Sequence, residues 1–371
     1  MTLSGQKLVR YLLDIGAVDA GAIIDGDLML CDFTRRHHNV KVLQGRKPGC
    51  FVKQAQPSQA LSTQSLHREA VCYWLAEHDA RMAALKPLLP RYRSYDGGRQ
   101  ILVIELLSQS ENMAEYHQRE RQFPPEVGAL LGQEVGRAHR EVVDPGAQAA
   151  GMEVFPRAVP WILSIHTLAA AQFDRVSNAN AQILALIKQY PEFVTALDTL
   201  RAGWRIDGLI HGDMKWENCL LLASAEPGGP LSLKIIDWEL ADFGDVCWDA
   251  GAVFQSYLSA WILSMPPHDE ASAEKLVSQA GLSLDAMQPA MARYWHSYFQ
   301  ARQLPSAQQA ETLTRCVQYA AARMIQTAYE HMSYAPSISM GTLRMLQVSS
   351  NILTRPAEAV RGLLGLGAVL A

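Results

Sequence analysis

Apolar and polar positions divide the chain into two unlike parts. From Asp27 to Gln54 the pattern is that of short strands. DLMLCDF (27–33), NVKVL (39–43) and CFVKQ (50–54) carry β-branched and apolar residues, and GRKPG (45–49) reads as a turn. A helix is predicted over Thr63–His78, where Leu66, Ala70, Tyr73 and Trp74 are spaced along one face. QILVIELL (100–107) is a continuous apolar strand with one carboxylate, Glu105. The opening MTLSGQKLVRYLLDIGAVDA reads as a short amphipathic helix.

Beyond Leu107 helical patterns dominate: Pro124–Val142, Val159–Phe173, Asn178–Gly203, Ala250–Leu263, Ala307–Met332 and Met340–Leu353. One β-hairpin interrupts them, CLLLA (219–223) and LSLKIID (231–237) joined across EPGGP. The expected class is therefore α+β: a sheet-rich part at 1–107 and a larger helical part at 108–371, hinged near the polar SQSEN (108–112).

Composition changes this picture little. An apolar share of 49% and a charged share of 19% over 371 residues support a sizeable buried core. A net charge of -4 argues against a general nucleic-acid binder, which needs a basic surface. The most apolar long stretch, Val246–Met265, is interrupted by Asp249 and Gln255, and no secretory signal is evident, so no membrane association and a cytoplasmic location are expected. Six cysteines without a C-x-x-C pair read as reduced thiols packed as small apolar residues.

The chemistry concentrates in IHGDMKWENCLLL (210–222) and LKIIDWELADFGDVCWDAG (233–251). Asn218 lies just before the first hairpin strand and Asp237 at the end of the returning one. Antiparallel pairing brings those two ends together. Asp213, five residues before Asn218, reaches the same space. One amide and two or three carboxylates make a hard, oxygen-rich site suited to Mg²⁺ shared with phosphates.

HGDMKWEN followed by IDWE resembles the catalytic loop and metal motif of the aminoglycoside phosphotransferase and choline kinase-like family, relatives of the protein kinases with their H-R-D-x-x-x-x-N loop. The resemblance implies a bilobal protein kinase-like fold with ATP and Mg²⁺ as cofactors. It makes Asp213 the group that receives the acceptor hydroxyl's proton, and Asn218 and Asp237 the metal ligands. Glu239 becomes a helper near a second metal, and His211 a support for the loop. Lys215 sits where protein-serine kinases place a lysine that touches the transferred phosphate. Lys53, sixteen residues before Glu69, matches the strand lysine and helix glutamate that orient the α- and β-phosphates. Asn39 corresponds to a polar loop residue over the phosphates, and Glu105 joins the nucleotide-binding set. Asp249, in CWDAG, would start a helix and tie it to the catalytic loop; alone it reads as an N-cap. Arg35 and Arg36 add charge near the phosphates or belong to a solvated turn, and the pair His37–His38 lacks further metal ligands nearby. The resemblance runs from about Asp27 to Tyr257.

Singly, each of these residues is an ordinary surface charge or turn residue; their order and spacing carry the reading. The acceptor stays open at this point. A small-molecule hydroxyl is the first expectation. A peptide Ser/Thr kinase of ribosomal-peptide maturation, working with a partner lyase, is the alternative. A catalytically silent nucleotide-binding partner is a third, which the intact Lys53, Glu69, Asp213, Asn218 and Asp237 oppose.

Overall fold

The computed structural model describes residues 3–33, 37–45, 47–56, 60–167, 176–224, 226, 229–267 and 272–370. Two helices, α1 (Gln6–Asp14) and α2 (Ala20–Ile24), precede a five-stranded antiparallel sheet. Its strands are β1 (Leu28–Asp32), β2 (His38–Gln44), β3 (Lys47–Gln54), β4 (Tyr92–Asp96) and β5 (Ile101–Glu105), in the order β1-β2-β3-β5-β4. The apolar run of β5 is explained by burial on both faces, because successive side chains point to opposite sides of a strand. Ile101 and Val103 join Val40, Val42, Cys50 and Val52 against Leu8 and Leu12 of α1. Leu102 and Ile104 face α3 (Ala60–His78), with its Leu66, Ala70 and Tyr73. The same alternation in β3 puts Val52 on the α1 side and turns Lys53 toward α3.

The chain then crosses into the helical lobe through β6 (Ser110–Asn112). Asn112 caps α4 (Met113–Glu120), its Oδ1 accepting the Glu115 N–H at 2.9 Å. Next come α5 (Pro125–Glu141), α6 (Asn178–Gln189) and α7 (Pro191–Ala202). Four short strands follow: β7 (Gly208–Ile210), β8 (Cys219–Leu222), β9 (Ser232–Ile235) and β10 (Asp242–Gly244). β6, β8 and β9 form one small sheet, and β7 pairs with β10. The lobe is completed by α8 (Cys247–Leu263), α9 (Ala273–Ser278), α10 (Leu284–Arg302), α11 (Gln309–His331), α12 (Met340–Thr354) and α13 (Pro356–Gly362). α8 is buried on nearly every side. All six cysteines are unpaired and five are buried. No helix among the described residues is long and apolar enough to cross a membrane.

Several elements depart from the sequence expectation. GRKPG is not all turn: Lys47, Pro48 and Gly49 belong to β3, and Gln44 pairs with Lys47 across a tight reversal at Gly45. The helix expected over Val159–Phe173 is a single 3-10 turn at Trp161–Ser164, and residues 168–175 lie outside the described set. Asn178–Gly203 is two helices because Pro191 has no N–H to continue the ladder, and it begins α7 instead. Strand β4 and helices α4 and α10 were not anticipated. Helix α10 has a regular apolar face (Met287, Ala290, Met291, Tyr294, Trp295, Tyr298), but Pro289 inside it disguised the pattern.

Helices α5 and α10 approach closely through Gly128, Gly132 and Gly136. A Cβ on Gly132 would lie 2.2 Å from the Tyr294 carbonyl oxygen, which belongs to a helix backbone and cannot step aside. Gly132→Ala is expected to cost about 1–3 kcal/mol in urea denaturation. Gly362→Ala, with nothing within 4 Å, should stay within about 0.5 kcal/mol of the parent.

Candidate active site

Lys53 and Glu69 meet where β3 faces α3. Lys53 Nζ donates to Glu69 Oε1 at 2.6 Å and Oε2 at 2.9 Å, and also to a carboxylate oxygen of Asp237 from the other lobe. Lys53 is 3% exposed and Glu69 0%. Burial works against the charge on Lys53, but the carboxylates of Glu69 and Asp237 outweigh it and hold the ammonium above its ordinary value. Burial pushes the Glu69 carboxyl up to about 7, with Lys53 opposing. Lys53 draws Asp237 down to about 2 against the effect of burial, so Asp237 is a firm anion. Its backbone is left-handed, with φ 68, at the step from β9 into the 3-10 turn Trp238–Leu240.

The loop between β7 and β8 is held from three directions. His211 donates from Nε2 to the Ile236 carbonyl (2.8 Å), and its Nδ1 accepts the Asp213 N–H (3.2 Å). Asp249, in the first turn of α8, accepts the N–H groups of His211 and Gly212, so it anchors this loop rather than capping its own helix. Gly212 has φ 79, and a Cβ there would sit 2.5 Å from the Leu240 carbonyl oxygen; glycine is required on both counts. The third support is Arg323 of α11, which the sequence reading missed. It is 4% exposed and donates to the carbonyls of Gly212 (2.9 Å) and Met214 (3.4 Å) and to Asp213 Oδ1 (3.1 Å). No sequence motif marks it, because α11 lies 110 residues away. The available signal was a lone arginine on the otherwise apolar face of a buried helix.

Asp213 therefore lies between Arg323 on Oδ1 and Lys215 on Oδ2, the latter at 2.7 Å. Burial raises its carboxyl, but these two cations reverse the shift and leave it below the usual carboxylate value. Asn218 is next to it: Nδ2 donates to the Asp213 carbonyl at 2.9 Å and approaches Oδ2 at 3.4 Å. The hairpin register pairs Cys219 with Ile235, and the Ile236 N–H reaches the Asn218 carbonyl at 3.0 Å. Asn218 and Asp237 thus flank the same hairpin end. Asp213, Lys215, Asn218, Asp237 and Arg323 all line one cleft of about 720 Å³.

Three expected site residues sit elsewhere. Glu239 bonds to His37 Nε2 (2.9 Å) and accepts from Ser65 Oγ (3.1 Å), linking the 3-10 turn to α3 and to the start of β2. Asn39 is within β2, opposite Lys53 in register, with its Oδ1 buried and without a hydrogen bond among the described residues. Glu105 accepts the Arg91 N–H at 3.1 Å, and its side chain is not part of the cleft. Arg35 and Arg36 lie outside the described residues. Among the described residues no three His, Cys, Asp or Glu side chains converge on one point.

Removing one partner of a buried ion pair leaves the other uncompensated, so Lys53→Met is expected to destabilise the fold by about 3–5 kcal/mol at pH 8. The folded Glu69 carboxyl already titrates above its ordinary 4.5 and rises further without Lys53. The native state then binds more protons than the unfolded one, so stability falls as pH rises through this range. The Lys53→Met deficit should shrink on going from pH 8 to pH 5.5, and Lys53→Met/Glu69→Leu should recover most of it. Denaturant midpoints at the two pH values check both.

Comparison with known proteins bears on the fold and the family. Structural similarity extends over almost the whole chain despite low identity. An ethanolamine kinase of Plasmodium vivax superposes with a TM-score of 0.59 at 12% identity, covering 95% of this chain and 90% of that one. A choline kinase of Cryptosporidium parvum Iowa II gives 0.53 at 10% identity, with 98% and 99% covered. The amicoumacin kinase hAmiN, in complex with AMP-PNP, Ca²⁺ and Ami, gives 0.52 at 12% identity, with 95% and 96% covered. These likenesses establish the α+β bilobal kinase-like fold. No curated protein sequence matches the chain. The profile of the phosphotransferase enzyme family matches residues 34–315, well over half of the sequence, and the chain belongs to that family.

Proposed function

We propose that the protein transfers the γ-phosphoryl group of ATP to a hydroxyl of a small organic molecule. The observation that carries this reading is that Asp237, bound by the buried Lys53–Glu69 pair, lines one cleft together with Asn218 and a carboxylate, Asp213, held by two cations. The residues fit Mg²⁺. Asp237 is firmly ionised, and Asn218 commits its Nδ2 to Asp213, which leaves its amide oxygen as a hard ligand. Magnesium takes one or two carboxylates and completes its shell with phosphate and water, so two protein ligands suffice. Bound there, it would neutralise charge on the β- and γ-phosphates.

Lys53 then addresses the α- and β-phosphates, and Glu69 holds it in place. The acceptor oxygen bonds to the γ-phosphorus as the bond to the bridging oxygen of ADP breaks, and the hydroxyl proton passes to Asp213. With its carboxyl held low, Asp213 is a weak base. Its main contribution is to accept a hydrogen bond and aim the hydroxyl, which suits a loose transition state with late proton transfer. Lys215, half-exposed beside Asp213, is placed to meet the moving phosphoryl group. A peptide acceptor and a lyase partner have no separate structural feature in their favour.

The test is a panel of small alcohols with γ-labelled ATP, combined with thermal stability with and without Mg-ATP. Asp213→Asn should keep the Mg-ATP stabilisation and lose about 10²–10⁴ in turnover; near-full turnover would remove Asp213 from this role. Because its carboxyl lies below the ordinary range, Asp213 should add no acid limb to the rate profile between pH 5.5 and 8. Arg323→Met should lower turnover at least about tenfold by releasing Oδ1, while the ATP KM changes little. An equal loss of Mg-ATP stabilisation in that variant would point to general loop collapse instead.

A further inference from the structure

The cleft wall formed by α8 and α11 contains a polar group that phosphate chemistry does not use. Gln255 is only 6% exposed, yet it lines the cleft. Its Nε2 donates to Ser259 Oγ at 3.0 Å and to Thr327 Oγ1 at 3.2 Å, which accounts for both amide hydrogens. Thr327 gives its own proton to the Arg323 carbonyl at 3.1 Å, so toward Gln255 it can only accept. The amide is thereby held one way round. Its Oε1 has no hydrogen-bond donor among the described residues, and it is not one of the fully enclosed polar atoms. Nearby, Ser256 gives its hydroxyl proton to the Ala252 carbonyl (3.1 Å), and Glu330 Oε1 accepts from Gln326 (2.8 Å). Ser256 and Glu330 thus add accepting oxygens to the same wall.

Its distance from the reacting centre is set by α11. Thr327 is four residues, ~6 Å of rise, from Arg323, and the Arg323 guanidinium lies 3.1 Å from Asp213 Oδ1. Asp213 and Gln255 line the same cleft, so a molecule whose hydroxyl rests on Asp213 has the Gln255 amide on the wall around it.

Resting on the phosphotransferase reading, we propose that Gln255 is a specificity residue whose carbonyl oxygen requires a second hydrogen-bond donor, an O–H or N–H, on the alcohol being phosphorylated. The substrate class is then a polyol, an amino alcohol or an amide-bearing alcohol, and a fully alkylated alcohol such as choline is a poor acceptor. A mostly buried polar group built to pair with a substrate donor rejects the analogue that lacks it, because the group is left unpaired.

The experiment uses the full chain and acceptor pairs matched in charge: ethanolamine against choline, glycerol against 1,3-dimethoxypropan-2-ol, and N-acetylserine methylamide against the form methylated on both amide nitrogens. The third pair separates an amide-bearing source of the donor from the polyol and amine sources. The parent enzyme is expected to favour the donor-bearing member of at least one pair by ~10²-fold or more in kcat/KM. Gln255→Met should reduce that ratio to about threefold or less, mainly through KM. Thr327→Val is the second variant in case the first does not fold; it frees the amide to turn and should lower the ratio by about tenfold. A ratio near one in the parent, an unchanged ratio in a folded Gln255→Met, or turnover confined to the donor-lacking alcohols would overturn the inference alone. Protein that Mg-ATP fails to stabilise, or that binds Mg-ATP and phosphorylates no alcohol, would instead overturn the phosphotransferase reading, and the inference with it.

Discussion

The bonds that Lys53 makes to Glu69 and Asp237 join three parts of the chain that lie far apart in sequence: a strand of the five-stranded sheet, the helix behind it, and the hairpin of the helical lobe. An ammonium this deeply buried is tolerable only because two carboxylates face it, and a carboxylate as buried as Glu69 only because the ammonium does. Each partner therefore limits where the others can go. The sheet must offer Lys53 on its α3 face, α3 must present Glu69 inward, and the hairpin must end with Asp237 exposed to both lobes. The relation of the lobes around the cleft follows from these electrostatic requirements as much as from apolar packing.

Around the second carboxylate the support comes from the helical lobe alone. Asp249 collects the loop N–H groups at the start of α8, and Arg323 collects the loop carbonyls from α11. One helix end thus serves the donors and another helix serves the acceptors of the same short loop. That arrangement lets a segment with little regular structure hold Asp213 in one orientation. It also places the wall bearing Gln255 and Thr327 in rigid register with the loop, because Arg323 and Thr327 share a helix. The carboxylate and the cleft wall beside it are consequently held by the same two helices, α8 and α11.

The cross-lobe bond from Glu239 to His37 has a different character. Expected as a metal helper, Glu239 instead joins Ser65 and His37, which also bonds Ser62 at 2.9 Å. The sequence reading treated His37 as half of an idle pair in a turn. Nothing local distinguishes it, since its partners are 25 and 202 positions away.

Local chemistry and order were enough to determine much of this protein. The strand alternation that buries Val52 turns Lys53 the opposite way. The hairpin forces Asn218 and Asp237 to one end. The H-G-D-x-x-x-x-N spacing puts Asp213 beside Asn218, and each of these is a consequence of backbone geometry over a few residues. What only the tertiary structure decided are the contacts made by residues of ordinary local appearance. Arg323 reaches the loop between β7 and β8, Glu239 reaches His37, Glu105 turns to the Arg91 backbone, and Gln255 lines the cleft. The same holds for α10, whose interior Pro289 obscured an apolar face that became evident only against the glycines of α5. The reason is physical: backbone periodicity is a short-range property, whereas the partner of a buried polar group is chosen by how whole helices pack, and no spacing along the chain encodes that choice.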